Sequence, residues 1–344
     1  MRIVIDAMGS DECPVPDVAG AVLAAQEWND ALLLVGDPQQ IRRQLERHNT
    51  RGLNLEIVPA AQQILMTDKP GQVGQSKPQS SMHIGMNMVK DGLADAFVTA
   101  GNTGAAMAVA TLFTLRRIQG VRRPALSTII RVGSQNVILL DIGANADSKP
   151  EWMGQFAVMG KIYAQHALGI QNPRVALLSN GEEEGKGNQL VHDAQAILRH
   201  LDLNFTGNVE PKDLVRGIAD VVVADGFVGN ITVKSLEAVA GVLFDLIRAE
   251  IKRDVISTVG GLLARRAFRR VYKQVDPFEV GGAPLLGVNG VVIIGHGRSN
   301  AKAIRNAIRQ ARLAVRGQIV EHIQAGLRQH LDTIQDVEYQ TRGG

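Results

Sequence analysis

Short apolar runs recur along the chain, each followed by a longer stretch whose apolar positions repeat with helical spacing. The runs occupy residues 3–5, 31–35, 55–58, 96–99, 175–178, 221–224 and 291–294. They lack polar alternation, as strands buried on both faces must. The pattern predicts a three-layer α/β fold, with a mostly parallel sheet and helices on both faces. Residues 126–131 and 137–141, joined through Gly133 and Ser134, predict an antiparallel hairpin, so the sheet is expected to be mixed. No internal repeat or low-complexity linker divides the chain, which predicts one compact, two-lobed unit over residues 1–344. Residues 235–280 show no strand signal and are expected to form a helical hairpin inserted into that unit and protruding from it.

Glycine and small polar residues recur just after the strands, at 36–38, 100–105, 142–145, 180–182, 225–230 and 295–299. In a parallel sheet such turns share one edge. Glycine there lets backbone N–H groups approach an anion, and the following helix N-terminus adds favourable partial charge. The pattern points to a phosphate-like ligand.

Composition narrows the partners. Lys and Arg exceed Asp and Glu by 37 − 34 = 3, and aromatics make up 4% of the chain, so nucleic acid is not expected. A single cysteine, Cys13, excludes an intramolecular disulfide and a cysteine-based zinc site. Asp6 interrupts the N-terminal apolar run before a signal segment forms, which predicts a cytoplasmic protein. The most apolar window, residues 236–247, contains Glu237 and Asp245 and falls short of the roughly 20 residues a bilayer crossing needs. Membrane contact is therefore expected to be peripheral.

Several phosphate chemistries fail on spacing. The string 181–187 has neither the spacing nor the hydroxyl of a P-loop, and 295–300 lacks the third glycine of a dinucleotide fingerprint. No nucleophile elbow and no HExxH zinc motif occurs. What remains is a transfer in which phosphate itself reacts.

The opening Asp6-Ala7-Met8-Gly9-Ser10-Asp11 and the segment Thr99-Ala100-Gly101-Asn102-Thr103-Gly104-Ala105 resemble the bacterial phosphate acyltransferase family. The likeness continues through Lys77-Pro78-Gln79-Ser80-Ser81-Met82, Asp141-Ile142-Gly143-Ala144-Asn145, Gly185-Lys186-Gly187-Asn188, Asp225-Gly226-Phe227-Val228-Gly229-Asn230 and Gly281-Gly282-Ala283-Pro284. It departs at Ser10, Gly185 and Ser148, where the family commonly has glycine, an acidic residue and cysteine. The resemblance implies transfer of a long acyl chain from acyl carrier protein to inorganic phosphate, giving acyl phosphate for phospholipid synthesis. It also implies an isocitrate/isopropylmalate dehydrogenase-like fold and a homodimer. Transfer from acyl-CoA is the rival reading.

Such a reaction needs two oriented reactants and a stabilised oxyanion, supplied by fixed N–H donors and a cation without metal, cofactor or covalent intermediate. For the phosphate, the turn Gly101, Asn102, Thr103 and Gly104 is favoured, with Lys77, Ser80 and Ser81 beside it. Lys186, where the resemblance places a catalytic lysine, and Asn230 are the catalytic candidates; an N-cap role is an equal reading of Asn230. His296 is the acid–base alternative. Arg265, Arg266, Arg269, Arg270 and Lys273 place five cations in nine residues of the helical insertion, beside an apolar face. Three readings fit this patch: a hairpin packed on a dimer partner with its cations in solvent, contact with anionic lipid at the inner face of the cell membrane, or docking of acidic acyl carrier protein.

Overall fold

The computed structural model describes residues 1–133 and 135–342; Ser134, at the tip of the expected hairpin, lies outside them. In chain order the first elements are β1 (Arg2–Asp6), α1 (Val15–Trp28), β2 (Ala31–Gly36), α2 (Pro38–Leu45) and β3 (Leu55–Pro59). Next come α3 (Pro70–Ser76), α4 (Ser81–Lys90), β4 (Ala96–Thr99) and α5 (Thr103–Ala108), which runs on into a π-helical turn at Val109–Phe113. The middle contains β5 (Ala125–Val132), β6 (Gln135–Leu140), α6 (Pro150–His166), β7 (Arg174–Leu178), α7 (Gln189–His200), β8 (Asn204–Val209), α8 (Pro211–Leu214) and β9 (Val221–Val223). Two long helices follow, α9 (Gly226–Ile251) and α10 (Val255–Val275), before β10 (Ala283–Leu286), β11 (Val291–Ile294), α11 (Ala301–Arg316) and α12 (Ile319–Arg342).

All eleven strands join one sheet in the order β3-β2-β1-β4-β11-β10-β5-β6-β9-β7-β8. The first five are mutually parallel, and so are β6, β9, β7 and β8. Between them, β10 is antiparallel to both neighbours and β5 is antiparallel to β6. Three reversals therefore make the two parallel halves run in opposite directions. The expectation that every strand-end turn shares one edge is corrected here: first-half turns cap one edge, and second-half turns cap the other.

Register brings these edges to a common line. Ile5 pairs with Val98, Val98 with Ile293, and Ile293 with Pro284. Ser127 Oγ donates to Pro284 O at 3.1 Å, and Ser127 pairs with Leu140, Leu140 with Val223, and Val223 with Leu177. Each of β1, β4, β11, β6, β9 and β7 ends on this row or one residue past it. The halves are thus offset along the strands, one extending to either side of the row.

Side-chain alternation divides the core unequally. On the back face one continuous cluster runs across both halves, joining Ile5, Val98, Ile293, Leu140 and Val223 to α1, α6, α7, α11 and α12. The front face has two clusters. One joins Val4, Phe97 and Ile294 to α3, α4 and α5, and the other joins Leu139 and Val222 to α8 and the start of α9. The two clusters meet incompletely over β5, where Ile130 packs on the second cluster and front-facing Thr128 and Ile130 stay half-buried although the strand is central. Helices on both faces match the sequence expectation, but the front layer is split.

Two strands escaped the apolar pattern. β10 carries Pro284 in a central position, where a missing N–H normally forbids a strand, and β8 is an edge strand interrupted by polar residues and Gly207. The helical insertion begins earlier than expected, because α9 starts directly at the end of β9. Gly226 and Gly229 are buried, and Val233 and Leu236 pack on the front cluster, so the first turns of α9 belong to the sheet. At 26 residues and a mean hydropathy of 1.4 over its most apolar window, α9 is long and apolar enough by composition to cross a membrane. Only residues 237–251 are free of the sheet, and they span about 22 Å of helix against a hydrocarbon core of about 30 Å. Phe244 meets Tyr272 edge-on at 5.1 Å, joining α9 to α10.

Candidate active site

The first-half turns form a tightly bonded shelf. Asp6, at the end of β1, is buried and accepts from Thr99 Oγ1 at 2.7 Å and Met8 N at 3.1 Å. Burial pushes its carboxyl up, opposed by hydrogen bonds from Ser81, Thr99 and Met8. A Cβ on Gly9 would lie 2.9 Å from Gly101 N, so only glycine lets these two turns touch. Asn102 caps α5 by accepting from Ala105 N at 3.0 Å. Its Nδ2 donates to Met66 O at 3.0 Å and Asp68 O at 3.1 Å, clamping the loop before α3.

Most of the expected phosphate ligands are engaged by the protein itself. Lys77 is ion-paired with Asp68 and donates to Gln63 O at 2.9 Å. Ser80 is buried, caps α4 through His83 N, and lies 2.8 Å from His83 Nδ1. Burial pushes the His83 imidazole down, favouring its neutral form. Ser81 is buried on Asp6. Gly101 is buried, Gly104 packs on Pro70, and Thr103 stands exposed on the first turn of α5. His296 is exposed in the turn after β11, where its Nδ1 accepts from Arg298 N at 3.2 Å.

The second-half turns are organised by one carboxylate. Asp141, fully buried at the end of β6, accepts from the backbone N–H of Leu126, Gly143, Ala144 and Asn145 and from Asn145 Nδ2, at 2.7–3.2 Å. Burial raises its pKa while these donors pull it back. Gly143 has φ 133°, and a Cβ there would lie 2.6 Å from Asn230 Nδ2. A Cβ on Gly229 would lie 1.9 Å from Asp141 O, so α9 can start only this close to the β6 turn with glycine present.

Asn230 stands in the second turn of α9 with its amide closed over Gly143. The cap of α9 is Asp225, whose Oδ1 accepts from Val228 N at 2.8 Å, which removes the N-cap reading of Asn230. Among the described residues no hydrogen bond engages the Asn230 side chain. Lys186 is exposed on the loop after β7, a loop pinned by Asn208 Nδ2 donating to Glu183 O at 3.2 Å and Lys186 O at 3.1 Å. Of the neighbouring acids, Glu184 pairs with Arg199 and Glu182 with Lys212, while Glu183 has no ion pair among the described residues and shares the space over Gly181 with the Lys186 side chain. The Lys186 ammonium has no ion pair among the described residues.

The structure therefore gathers Lys186 and Asn230 at the ends of adjacent strands on one edge. Gly101, Asn102, Thr103, Gly104, Lys77, Ser80, Ser81 and His296 gather at the other. Between the edges lies the front gap, and Ile142, in the Asp141 turn, packs against both front clusters. The floor there combines the Thr128 side chain with Ile130, both half-buried, while a free amide and an ammonium without an ion pair occupy one rim. The floor was invisible in sequence because nothing in residues 126–131 distinguishes a covered face from an open one.

A family profile described as fatty acid synthesis protein matches residues 1–322. The phosphate acyltransferase of Geobacter sulfurreducens is 42% identical over 339 residues, covering 98% of this chain and 95% of its own. That of Dictyoglomus turgidum is 46% identical over 334 residues, covering 96% and 99%. Among solved structures, a phosphotransacetylase from Streptococcus pyogenes superposes with TM-score 0.59 at 18% identity, over 93% of this chain and 94% of its own. A branched-chain phosphotransacylase from Enterococcus faecalis gives TM-score 0.54 at 13% identity, over 92% and 99%. At such identities these two structures speak to the fold.

Beneath the shelf, Asp17 is fully buried with Ser10 Oγ at 2.5 Å from its Oδ2, while its Oδ1 has no hydrogen-bond partner. Burial raises its pKa from 3.8 to about 8. A carboxyl raised on folding keeps its proton in the folded state while the unfolded chain ionises, so stability falls as pH rises from about 4 to about 8. Asp17→Asn should therefore reduce the difference in melting temperature between pH 5 and pH 8, measured by thermal unfolding. An unchanged difference would contradict a buried, protonated Asp17.

Proposed function

The chain belongs to the fatty acid synthesis protein family and is an acyltransferase that acts on phosphate, and from that premise we propose that its acyl donor is acyl carrier protein and that its acyl phosphate product serves phospholipid synthesis. The observation that carries this reading is the pair of unengaged polar groups, the Asn230 amide and the Lys186 ammonium, at the ends of neighbouring strands, with the half-buried Thr128 and Ile130 of β5 two and three strands away.

Phosphate near neutral pH is largely a dianion and needs no strong base. One of its oxygens bonds the thioester carbon, and the carbonyl opens to an oxyanion that the Asn230 amide and the Lys186 ammonium stabilise. Collapse breaks the carbon–sulfur bond, and the departing thiolate takes the proton that the phosphate carried. A pantetheine thiol resembles cysteine, with a pKa of about 8.5, so its departure demands little acid catalysis. Because Asn102, Lys77, Ser80 and Ser81 are engaged in the fold, their contribution is to hold the shelf. Thr103 stands exposed on it.

The helical pair α9 and α10 is assigned to a membrane surface and to a homodimer partner. Val239, Val242, Leu246, Leu262 and Leu263 are exposed there, and so are Arg265, Arg266, Arg269, Arg270 and Lys273. Apolar side chains beside cations suit the headgroup boundary of an anionic bilayer, each cation adding about 1 kcal/mol near the surface. This reading places the protein in the cytoplasm at the inner face of the cell membrane.

Purified protein incubated with long-chain acyl carrier thioester should form acyl phosphate, trapped with hydroxylamine, only when orthophosphate is present. Faster turnover of acyl-CoA than of the carrier thioester would favour the rival donor. Lys186→Ala and Asn230→Ala should each lower kcat/KM about tenfold or more, and wild-type rates in both would remove these residues from the reaction. Charge reversal at Arg265 and Arg269 should reduce pelleting with anionic vesicles; unchanged pelleting would contradict the lipid assignment.

A further inference from the structure

The segment between the π-helical turn and β5 carries Arg116, Arg117, Arg122 and Arg123, all exposed, while Ile118 and Val121 point inward as buried anchors. Together with Arg328 from α12, Arg117 and Arg122 line an open cleft of about 580 Å³, with Gln119 and Gly120 between them. Among the described residues none of these five arginines has a carboxylate partner, although fourteen ion pairs form elsewhere. Like charges held this close repel, and an arrangement of this kind is relieved by an anionic partner.

The loop is held ready. Ile118 N donates to Gly287 O at 3.0 Å, and Asn289 bonds Arg116 O and Arg117 O through its backbone N–H and its Nδ2. Gln155 accepts from Arg122 N at 2.8 Å and donates to Gly120 O at 2.9 Å. Beside it, half-buried Trp152 is flanked by Arg123 at 5.2 Å and Lys149 at 5.8 Å, a flat aromatic set among cations. Tryptophan and arginine are the residues most often energetically dominant at protein interfaces.

Its location ties it to the site. Pro124 O, just beyond Arg123, accepts from Asn145 Nδ2 at 2.8 Å. Asn145 closes the Asp141 turn, in which Gly143 lies against the Asn230 amide. The arginine loop is therefore one hydrogen bond from the turn that seats Asn230.

We propose that the arginine loop 116–123 and Arg328 form the docking surface for the acidic protein that carries the acyl group, which seats on the cleft while its thioester arm reaches Asn230. The inference rests on the carrier-protein reading of the donor. It assigns the carrier and the lipid to different surfaces: the arginine cleft is lined mainly by charged and polar groups, whereas the α10 cations stand among exposed apolar side chains.

The test uses the full chain, an Arg117→Glu/Arg122→Glu double variant and, from a separate element, Arg328→Glu. The bonds made by Ile118, Asn289 and Gln155 survive all three substitutions, whereas Arg117→Glu removes the side-chain bond from Arg117 to Arg122 O, and melting temperatures check that the fold is kept. Binding of fluorescently labelled acyl carrier protein is followed by anisotropy, and turnover is measured with the carrier thioester and with acyl-CoA, which presents no protein surface. Both variants should weaken carrier binding about tenfold or more and raise KM for the carrier thioester at similar kcat, with acyl-CoA turnover unchanged. Wild-type-like carrier binding in both variants overturns the docking surface while leaving the donor reading intact. Equal losses with both donors also overturn it, marking the cleft as a site for a small anion. A wild-type protein that neither binds nor uses the carrier overturns both readings.

Discussion

A single row of residues across the sheet, from Ile5 through Val98, Ile293, Pro284, Ser127 and Leu140 to Val223, is the constraint on which the rest of the molecule depends. Two parallel half-sheets of opposite direction reach this row from opposite sides. Had the halves run the same way, one continuous helical layer would have covered each face. Reversal through β10 and β5 leaves the back layer continuous and splits the front layer, opening the half-exposed strip on β5. The same reversal places Asn102 and Asn230 on different edges, on either side of the waist of the sheet.

Within this frame, buried carboxylates act as organisers. Asp6 ties β1 to β4, and Asp141 gathers five N–H donors from its own turn and from β5. Each replaces lost hydration with hydrogen bonds, which is how buried acidic groups are tolerated. Their glycine neighbours, Gly9 and Gly229, permit contacts that a Cβ would block. Lys186 and Asn230 are left unengaged by this network. That contrast between satisfied scaffold and unsatisfied rim is the chief structural reason to place the chemistry there.

Much of the fold was legible in the chain. The apolar runs at 3–5, 31–35, 96–99, 175–178 and 291–294 all fall within strands, because a strand buried on both faces leaves a continuous apolar signature. β10 was not legible, since Pro284 argues locally against a central strand. Its position depends on partners more than 150 residues away, Leu126 and Ala125. Strand direction was equally hidden, because an apolar run reads the same whichever way it runs, and this is why the strand-end turns were expected on one edge. The glycine turns marked the right loops but could not separate clamps from free groups. Asn102 and Asn230 look alike in sequence, yet one amide is bonded three ways and the other is open. The arginines at 116–123 passed without notice because two pairs separated by four residues make no dense run; Arg328 joins them only through the packing of α12.

The front of β5, where the two front clusters meet incompletely, is the proposed meeting place of acyl chain and phosphate. The most direct measurement is a crystal structure with acyl phosphate, or a stable phosphonate analogue, bound. Density for the acyl chain is expected along Thr128 and Ile130, with the carbonyl oxygen within hydrogen-bond distance of Asn230 Nδ2. A chain bound on the back face, or a carbonyl remote from Asn230, would contradict it.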